Sequence, residues 1–456
     1  MTLLDVSIVN VALPSMEHSL GLTPADVSWA VAGYALTFGL TLVPAGRLGD
    51  EYGRRKIFLI GLSLFAITGV ICGAAPNATV LVVGRLCRGV AAGLLAPQAI
   101  GLMQQMYTGQ RRGKAFGYYG ATVGLSTAIG PLLGGVILQA FGPAVGWRFV
   151  FYLSIPIVVL TLAFAYRVLP ADQPGGAHHG IDLVGVLLLG LSVLAIMLPL
   201  LQTTAASGYP GLLLVAAGGA LLVLFLFWQR RLGSRGGHPL VDLKLLTVRS
   251  YAVGAGVATA FYSGFTAIFL VMTMYFQQGL KYTPLEAALS MLIFTVGSAV
   301  SAIISGRIVH RTGRRNVVIG SAVATLGLTA VAVMAHSWTG PAAALVLALP
   351  LLVASCGCGF VISANQTLTL REITRRDAGV AAGVYETGQR IGTALGTALA
   401  TGLFFGALAR THGDYHVAVG LGLAGPAVLV GVAFLISLVD FLRPVRADVP
   451  AVEAAR

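Results

Sequence analysis

The chain reads as an all-α integral membrane protein: fourteen transmembrane helices arranged as two six-helix halves with an inserted helix pair between them. Three observations predict this. Of 456 residues, 57% are hydrophobic and 10% charged, whereas about a quarter of a soluble chain is charged. Apolar runs of membrane-spanning length recur fourteen times. Basic residues crowd into alternate connections between those runs. The 29 basic and 16 acidic side chains are too few to wet a soluble body of this size. The apolar content excludes disorder, and four Cys exclude a secreted disulfide scaffold. A net charge of +13 invites a nucleic-acid partner, but the basic clusters are short and sit between apolar runs, where they act as topology signals.

A span needs about 20 apolar residues. The runs lie near 1–15, 28–49, 57–75, 79–105, 114–140, 147–168, 182–201, 210–229, 250–277, 284–307, 316–335, 341–366, 378–405 and 416–442. Barrel strands would alternate over about ten residues; these runs are longer and apolar all round. The first is short, reaching about 22 Å against a hydrocarbon core of about 30 Å. No basic segment precedes it, so it does not read as a signal peptide, and the expectation is that helix 1 is truncated, the true start lying upstream. The second span opens at Thr23-Pro24-Ala25-Asp26 and closes on the basic loop that starts the third. The fourth carries Arg85 and Arg88, the fifth a series of glycines, the sixth Trp147-Arg148-Phe149. Pro170–Gly180 and Arg230–Arg249 are linkers flanking spans seven and eight. The expected domains are 1–168, 169–249 with the linkers and inserted pair, 250–442, and a tail over 443–456.

Of the 29 Lys and Arg, 23 lie in even-numbered connections or the C-terminal tail, Arg375, Arg376, Arg446 and Arg456 among them. Arg148, Lys281 and Arg410 lie in odd-numbered connections. This asymmetry places both termini in the cytoplasm. Only four basic residues are Lys; with abundant Ala, Gly and Val, this points to a GC-rich bacterial genome and a bacterial inner membrane.

An internal repeat organises the chain. Thr23-Pro24-Ala25-Asp26 recurs as Thr283-Pro284-Leu285-Glu286, and Gly46-Arg47 with Gly53-Arg54-Arg55 recurs as Gly306-Arg307 with Gly313-Arg314-Arg315. Every match sits at one offset of 260 residues. The copies are eight spans apart and so share one orientation, a parallel duplication used by transporters. Thr, Pro and an acid at these spacings also make capping boxes, which is the plainer reading of Asp26 and Glu286.

These residues resemble a family. Gly46-Arg47-Leu48-Gly49-Asp50-Glu51-Tyr52-Gly53-Arg54-Arg55-Lys56 resembles the loop signature of the major facilitator superfamily, and Gly130-Pro131-Leu132-Leu133-Gly134-Gly135 its antiporter motif. Leu4-Asp5, Ile8–Pro14, Trp147-Arg148-Phe149, Ser154-Ile155-Pro156 and Pro239–Leu243 are similar to marks of its fourteen-span drug:proton antiporters. Two positions depart from the pattern: Arg88 replaces a usual Gln and Ser154 a usual Asn. The resemblance implies a major-facilitator-type bundle, a gate built from Arg47, Asp50, Gly53, Arg54 and Arg55, and proton coupling through Arg85. Physically, a carboxylate at Asp50 can accept from Arg side chains or meet a helix N-terminus of the other half; the basic residues beside it also set topology. His310 stands where the repeat would place a second Asp50, so the latch is expected on one side only. Glycines such as Gly124, Gly130, Gly134 and Gly135 permit close helix approach, and Pro131 permits a kink.

Ionisable groups inside the bilayer are functional candidates by default. Asp5 and Glu386 are the acids, and Arg85, Arg88 and Arg390 the bases. A carboxyl group in a low dielectric favours its neutral form, so binding a proton in one state and losing it in another would drive antiport. Glu386 also precedes Arg390 by four residues, the spacing of a helical ion pair. An Arg does not shed its own proton; Arg85 and Arg390 would act on a partner carboxylate. Neutralising Asp5 or Glu386 is expected to abolish efflux from a folded protein. The excess of buried base suits neutral, zwitterionic or weakly anionic cargo better than lipophilic dications.

The expected function is therefore proton-coupled export of amphipathic small molecules by alternating access, by a monomer in the bilayer, with no cofactor, no metal and no enzymatic activity. A same-fold uptake symporter or facilitator is the alternative, and a membrane sensor or channel the alternative of another kind. Cys72, Cys87, Cys356 and Cys358 lie inside spans and read as packing, and His178-His179 as a solvated linker pair. Gly113-Lys114 lacks the following Ser or Thr of a phosphate loop.

Overall fold

A computed structural model describes residues 1–172, 182–201, 209–338, 343–374 and 377–443. Arg375, Arg376, Arg446, Arg456, the His178-His179 pair, most of the first linker and nearly all of the tail lie outside the described residues.

The described residues are helical apart from short connections. In chain order the helices are α1 (Thr2–Leu20), α2 (Pro24–Tyr52), α3 (Arg54–Gly73), α4 (Ala78–Met106), α5 (Gly109–Phe141), α6 (Pro143–Tyr152), α7 (Ser154–Val168), α8 (Leu183–Leu201), α9 (Tyr209–Ser234), α10 (Arg249–Met274), α11 (Pro284–Thr312), α12 (Arg315–Ser337), α13 (Ala343–Thr369), α14 (Ala378–Arg410) and α15 (Tyr415–Leu442). Among the described residues, twelve helices are long and apolar enough to cross a membrane, and thirteen when α5, bent by 41°, counts as one span. The short α6 and α7 together make one of the twelve. The fourteenth run read from the sequence is α1, which is not in that set; Asp5, Asn10, Glu17 and His18 dilute its apolar character. The molecule is thus a multi-pass membrane protein with twelve to thirteen apolar spans.

The repeat is visible in local structure. Both α2 and α11 have 29 residues. Each begins with a reciprocal capping box, Thr23 with Asp26 and Thr283 with Glu286, which satisfies amides that the first turn leaves free. Each ends on a glycine of positive φ, 104° at Gly53 and 55° at Gly313, a region that side chains with a Cβ avoid. At Gly53 a Cβ would also overlap the Asp172 carboxyl group. Asp172 needs that space, because it accepts from the amides of Arg55 (3.0 Å) and Lys56 (2.9 Å) at the start of α3.

The helices form two packed groups. In one, α1 lies on α5 and α6, α2 on α4, and α3 on α4 and α7. In the other, α10 lies on α14 and α15, α11 on α13, and α12 on α13 and α15. The groups meet where α2 and α4 touch α14 and where α5 touches α11 and α13. The α8–α9 pair stands beside this seam, with α8 against both α2 and α14.

Candidate functional site

The α1–α7 group holds an ionic knot in its interior. Asp5 on α1 accepts from Arg85 Nη1 at 2.7 Å and from Arg88 Nε at 2.8 Å. All three side chains are buried, Arg88 completely. Three further donors are matched: Arg85 Nε to the Ala30 carbonyl, Arg88 Nη1 to the Phe65 carbonyl, and Arg88 Nη2 to Ser154 Oγ at 2.9 Å. The two positions that depart from the antiporter pattern therefore touch each other. One carboxylate faces two guanidinium groups, and aromatic faces take up part of the excess: Arg85 lies 4.3 Å from the centre of the Tyr34 ring and Arg88 3.9 Å from that of Phe65.

A second charged pair lies on α14. Glu386 is 4% exposed, and its Oε1 accepts from Tyr119 Oη on α5 at 3.2 Å. Among the described residues its Oε2 has no hydrogen-bond partner, nor has Arg390 Nε. The Arg390 guanidinium lies 4.4 Å from the centre of the Phe38 ring on α2. The salt bridges among the described residues do not join Glu386 to Arg390. Phe38 packs on Tyr34, ring centres 6.1 Å apart. Two rings of α2 thus connect Arg390 to Arg85 and the knot around Asp5.

A third assembly joins the groups at the end where α2 finishes and α14 begins. Asp50 Oδ1 accepts from Arg54 Nη2 (2.6 Å) and Nε (3.0 Å) and from the Gly379 amide (2.9 Å); Oδ2 accepts from the Val380 amide (2.8 Å). The carboxylate sits on free amides at the positive end of the α14 dipole. Such contact requires close backbones: a Cβ on Gly46 would overlap the Gly379 carbonyl, and one on Gly379 the Asp50 side chain. Arg47 approaches Glu51 at 3.9 Å, and Arg55 bonds the Tyr166 carbonyl. In the second repeat Arg314 pairs instead with Asp440 at the end of α15.

The α5 glycines divide their contacts. Gly113, Gly117, Gly120 and, more loosely, Gly124 face α11. Gly130 and Gly134 face Ser7, Ile8 and Val11 of α1, and Gly135 has nothing within 4 Å of its Cβ position. So the early part of α5 meets the opposite group, while the part around Pro131 lies beyond the bend, against its own group.

If Asp50 latches the two groups, Asp50→Ala removes the acceptor for two amides and for Arg54. With spin labels on Lys56→Cys and Thr374→Cys, the variant is expected to populate longer distances than the otherwise native protein. Identical distance distributions would refute a latch.

Of the residues singled out from sequence, Asp5 and Arg85 meet, Asp50 and Arg54 meet, and Glu386 and Arg390 do not pair. Sequence reasoning missed Tyr119 and Phe38, single aromatic residues within long apolar runs. Their only signal was position: Phe38 follows Tyr34 by one helical turn, and Tyr119 lies on the glycine-rich helix.

Known proteins of similar sequence and shape place the chain among its relatives. Residues 1–397 match the family model described as Major Facilitator Superfamily. The chain is 33% identical over 411 residues to the probable actinorhodin transporter of Streptomyces coelicolor, covering 90% of this chain and 71% of that protein. It is 32% identical over 446 residues to a puromycin resistance protein of Streptomyces alboniger, covering 96% and 86%. It is 29% identical to the tetracenomycin C resistance and export protein of Streptomyces glaucescens, covering 86% and 71%. Among solved structures, the proton:xylose symporter XylE superposes with a TM-score of 0.67 at 14% identity, covering 94% and 92%.

Proposed function

The chain belongs to the Major Facilitator Superfamily, and on that premise we propose that it is a drug:proton antiporter exporting amphipathic small molecules such as antibiotics or other natural products. The names of its relatives support export of this cargo class. The observation that carries proton coupling is Glu386: a buried carboxyl group with a bare oxygen, at the seam between two helix groups. Each group is one half of an alternating-access machine, with α8 and α9 inserted between them. Counting α1 as a span, on the strength of its neutralised Asp5 and its packing on α5 and α6, gives fourteen. The basic end lies in the cytoplasm of a bacterial inner membrane, with both termini there, and the working unit is a monomer. Closure at Asp50 then makes this the state shut toward the cytoplasm.

The knot around Asp5 leaves a buried positive excess, which favours neutral, zwitterionic or weakly anionic cargo. In inside-out vesicles with an acidic interior, puromycin is expected to accumulate inside, and a neutral macrolide to be carried better than ethidium. Accumulation only in right-side-out vesicles would refute export. A strong preference for ethidium would refute the cargo assignment alone.

A further inference from the structure

We propose that Tyr119 and Phe38 are positioning residues that hold Glu386 and Arg390 apart while the cytoplasmic end is closed, and that opening this end lets the two pair and expels the Glu386 proton. This rests on the reading of Glu386 as the proton site. A Glu four residues before an Arg on one helix ordinarily meets it. Here each is instead held by a side chain of the opposite group: Glu386 by the Tyr119 hydroxyl on α5, Arg390 by the Phe38 ring on α2. The atoms left bare, Glu386 Oε2 and Arg390 Nε, are those a direct pair would use.

Other titratable groups near Glu386 do not compete. Tyr262 of α10 and Tyr385 of α14 carry phenols, which ordinarily ionise only near pH 10, and the Tyr385 hydroxyl accepts from the Asn365 amide of α13. On the far side of Phe38, the Tyr34 ring of α2 lies against Arg85, and Arg85 and Arg88 of α4 are both committed to Asp5. A bare ionised oxygen in this setting is far costlier than a neutral carboxyl, so the closed arrangement suits a protonated Glu386. Since α2 and α5 belong to one group and α14 to the other, separation at the cytoplasmic end withdraws the ring and the hydroxyl together. Arg390 is then free to turn to Glu386. The carboxyl O–H bond breaks, its proton passes to water entering from the cytoplasm, and the carboxylate that remains pairs with Arg390. Reclosing restores the ring contact and separates the pair, so a new proton is taken up from the opposite side. The direction is the one that antiport requires.

The test uses the purified full chain and the infrared band of protonated carboxyl groups, with Glu386→Gln marking the Glu386 contribution. Tyr119→Phe differs by one oxygen, and Phe38→Leu keeps apolar bulk without a ring face. Both are expected to lose the Glu386 band at the pH where the native protein shows it, and to lose uphill puromycin accumulation about tenfold, the effect of a contact worth about 1.4 kcal/mol. Downhill equilibration stays close to native, and Phe38→Trp keeps both the band and the accumulation. Native-like bands and accumulation in Tyr119→Phe and Phe38→Leu overturn the proposal, as does equal loss in Phe38→Trp, which would make Phe38 mere packing. If the native protein shows no band that Glu386→Gln removes, the proton-site reading itself fails.

Discussion

Glu386→Gln is expected to abolish uphill puromycin transport while leaving the protein folded. The amide is nearly isosteric, and its carbonyl still accepts from Tyr119, so the thermal midpoint should change by less than the equivalent of about 1 kcal/mol. What is lost is the protonatable oxygen. A permanently neutral side chain leaves Arg390 no carboxylate to pair with when the halves separate. The protein can still bind cargo and rock, so puromycin should equilibrate across the membrane but never accumulate. Accumulation at the native level in proteoliposomes would remove Glu386 from the coupling mechanism.

Asp5→Asn is expected to have its largest effect on stability. From sequence, Asp5 and Glu386 are two equivalent buried acids. The double salt bridge changes the expected outcome, because Asp5 is the counter-ion of two buried guanidinium groups. Removing one partner of a buried ion pair costs about 3–5 kcal/mol, since it leaves an uncompensated charge. The amide side chain of the variant retains one acceptor oxygen, which places the loss near the lower end. Folded yield and thermal midpoint should both fall, and adding Arg88→Gln, which restores the native excess of one buried positive charge, should recover part of the loss. An unchanged midpoint in Asp5→Asn would show that the Ala30 and Phe65 carbonyls, Ser154 and the rings suffice by themselves.

Much of this architecture is legible in the chain because membrane helices announce themselves by length and apolarity. The capping boxes at Thr23 and Thr283 are local, so four residues state them. Asp50 on a helix N-terminus is the kind of contact that a carboxylate in a basic loop makes. Where the sequence misleads, the reason is tertiary. The weakest of the fourteen runs, α1, carries Asp5, whose partners lie 80 and 83 positions away. Arg88 and Ser154 are separate departures in the sequence and a single contact in space. The alternative reading of Glu386, an ion pair with Arg390, follows from helical spacing, but two aromatic side chains from α2 and α5 intervene. No period or motif marks Phe38 or Tyr119, because a ring in an apolar run costs nothing until something charged lies against it.

The proposed mechanism centres on one carboxyl group that exchanges protons for cargo, and proton movement is the quantity to measure. In proteoliposomes enclosing a pH-sensitive dye, a puromycin gradient imposed across the membrane should drive protons in the opposite direction through the native protein. Glu386→Gln should show no such flux while puromycin still crosses. Puromycin movement without proton movement in the native protein, or the same proton flux in Glu386→Gln, would contradict it.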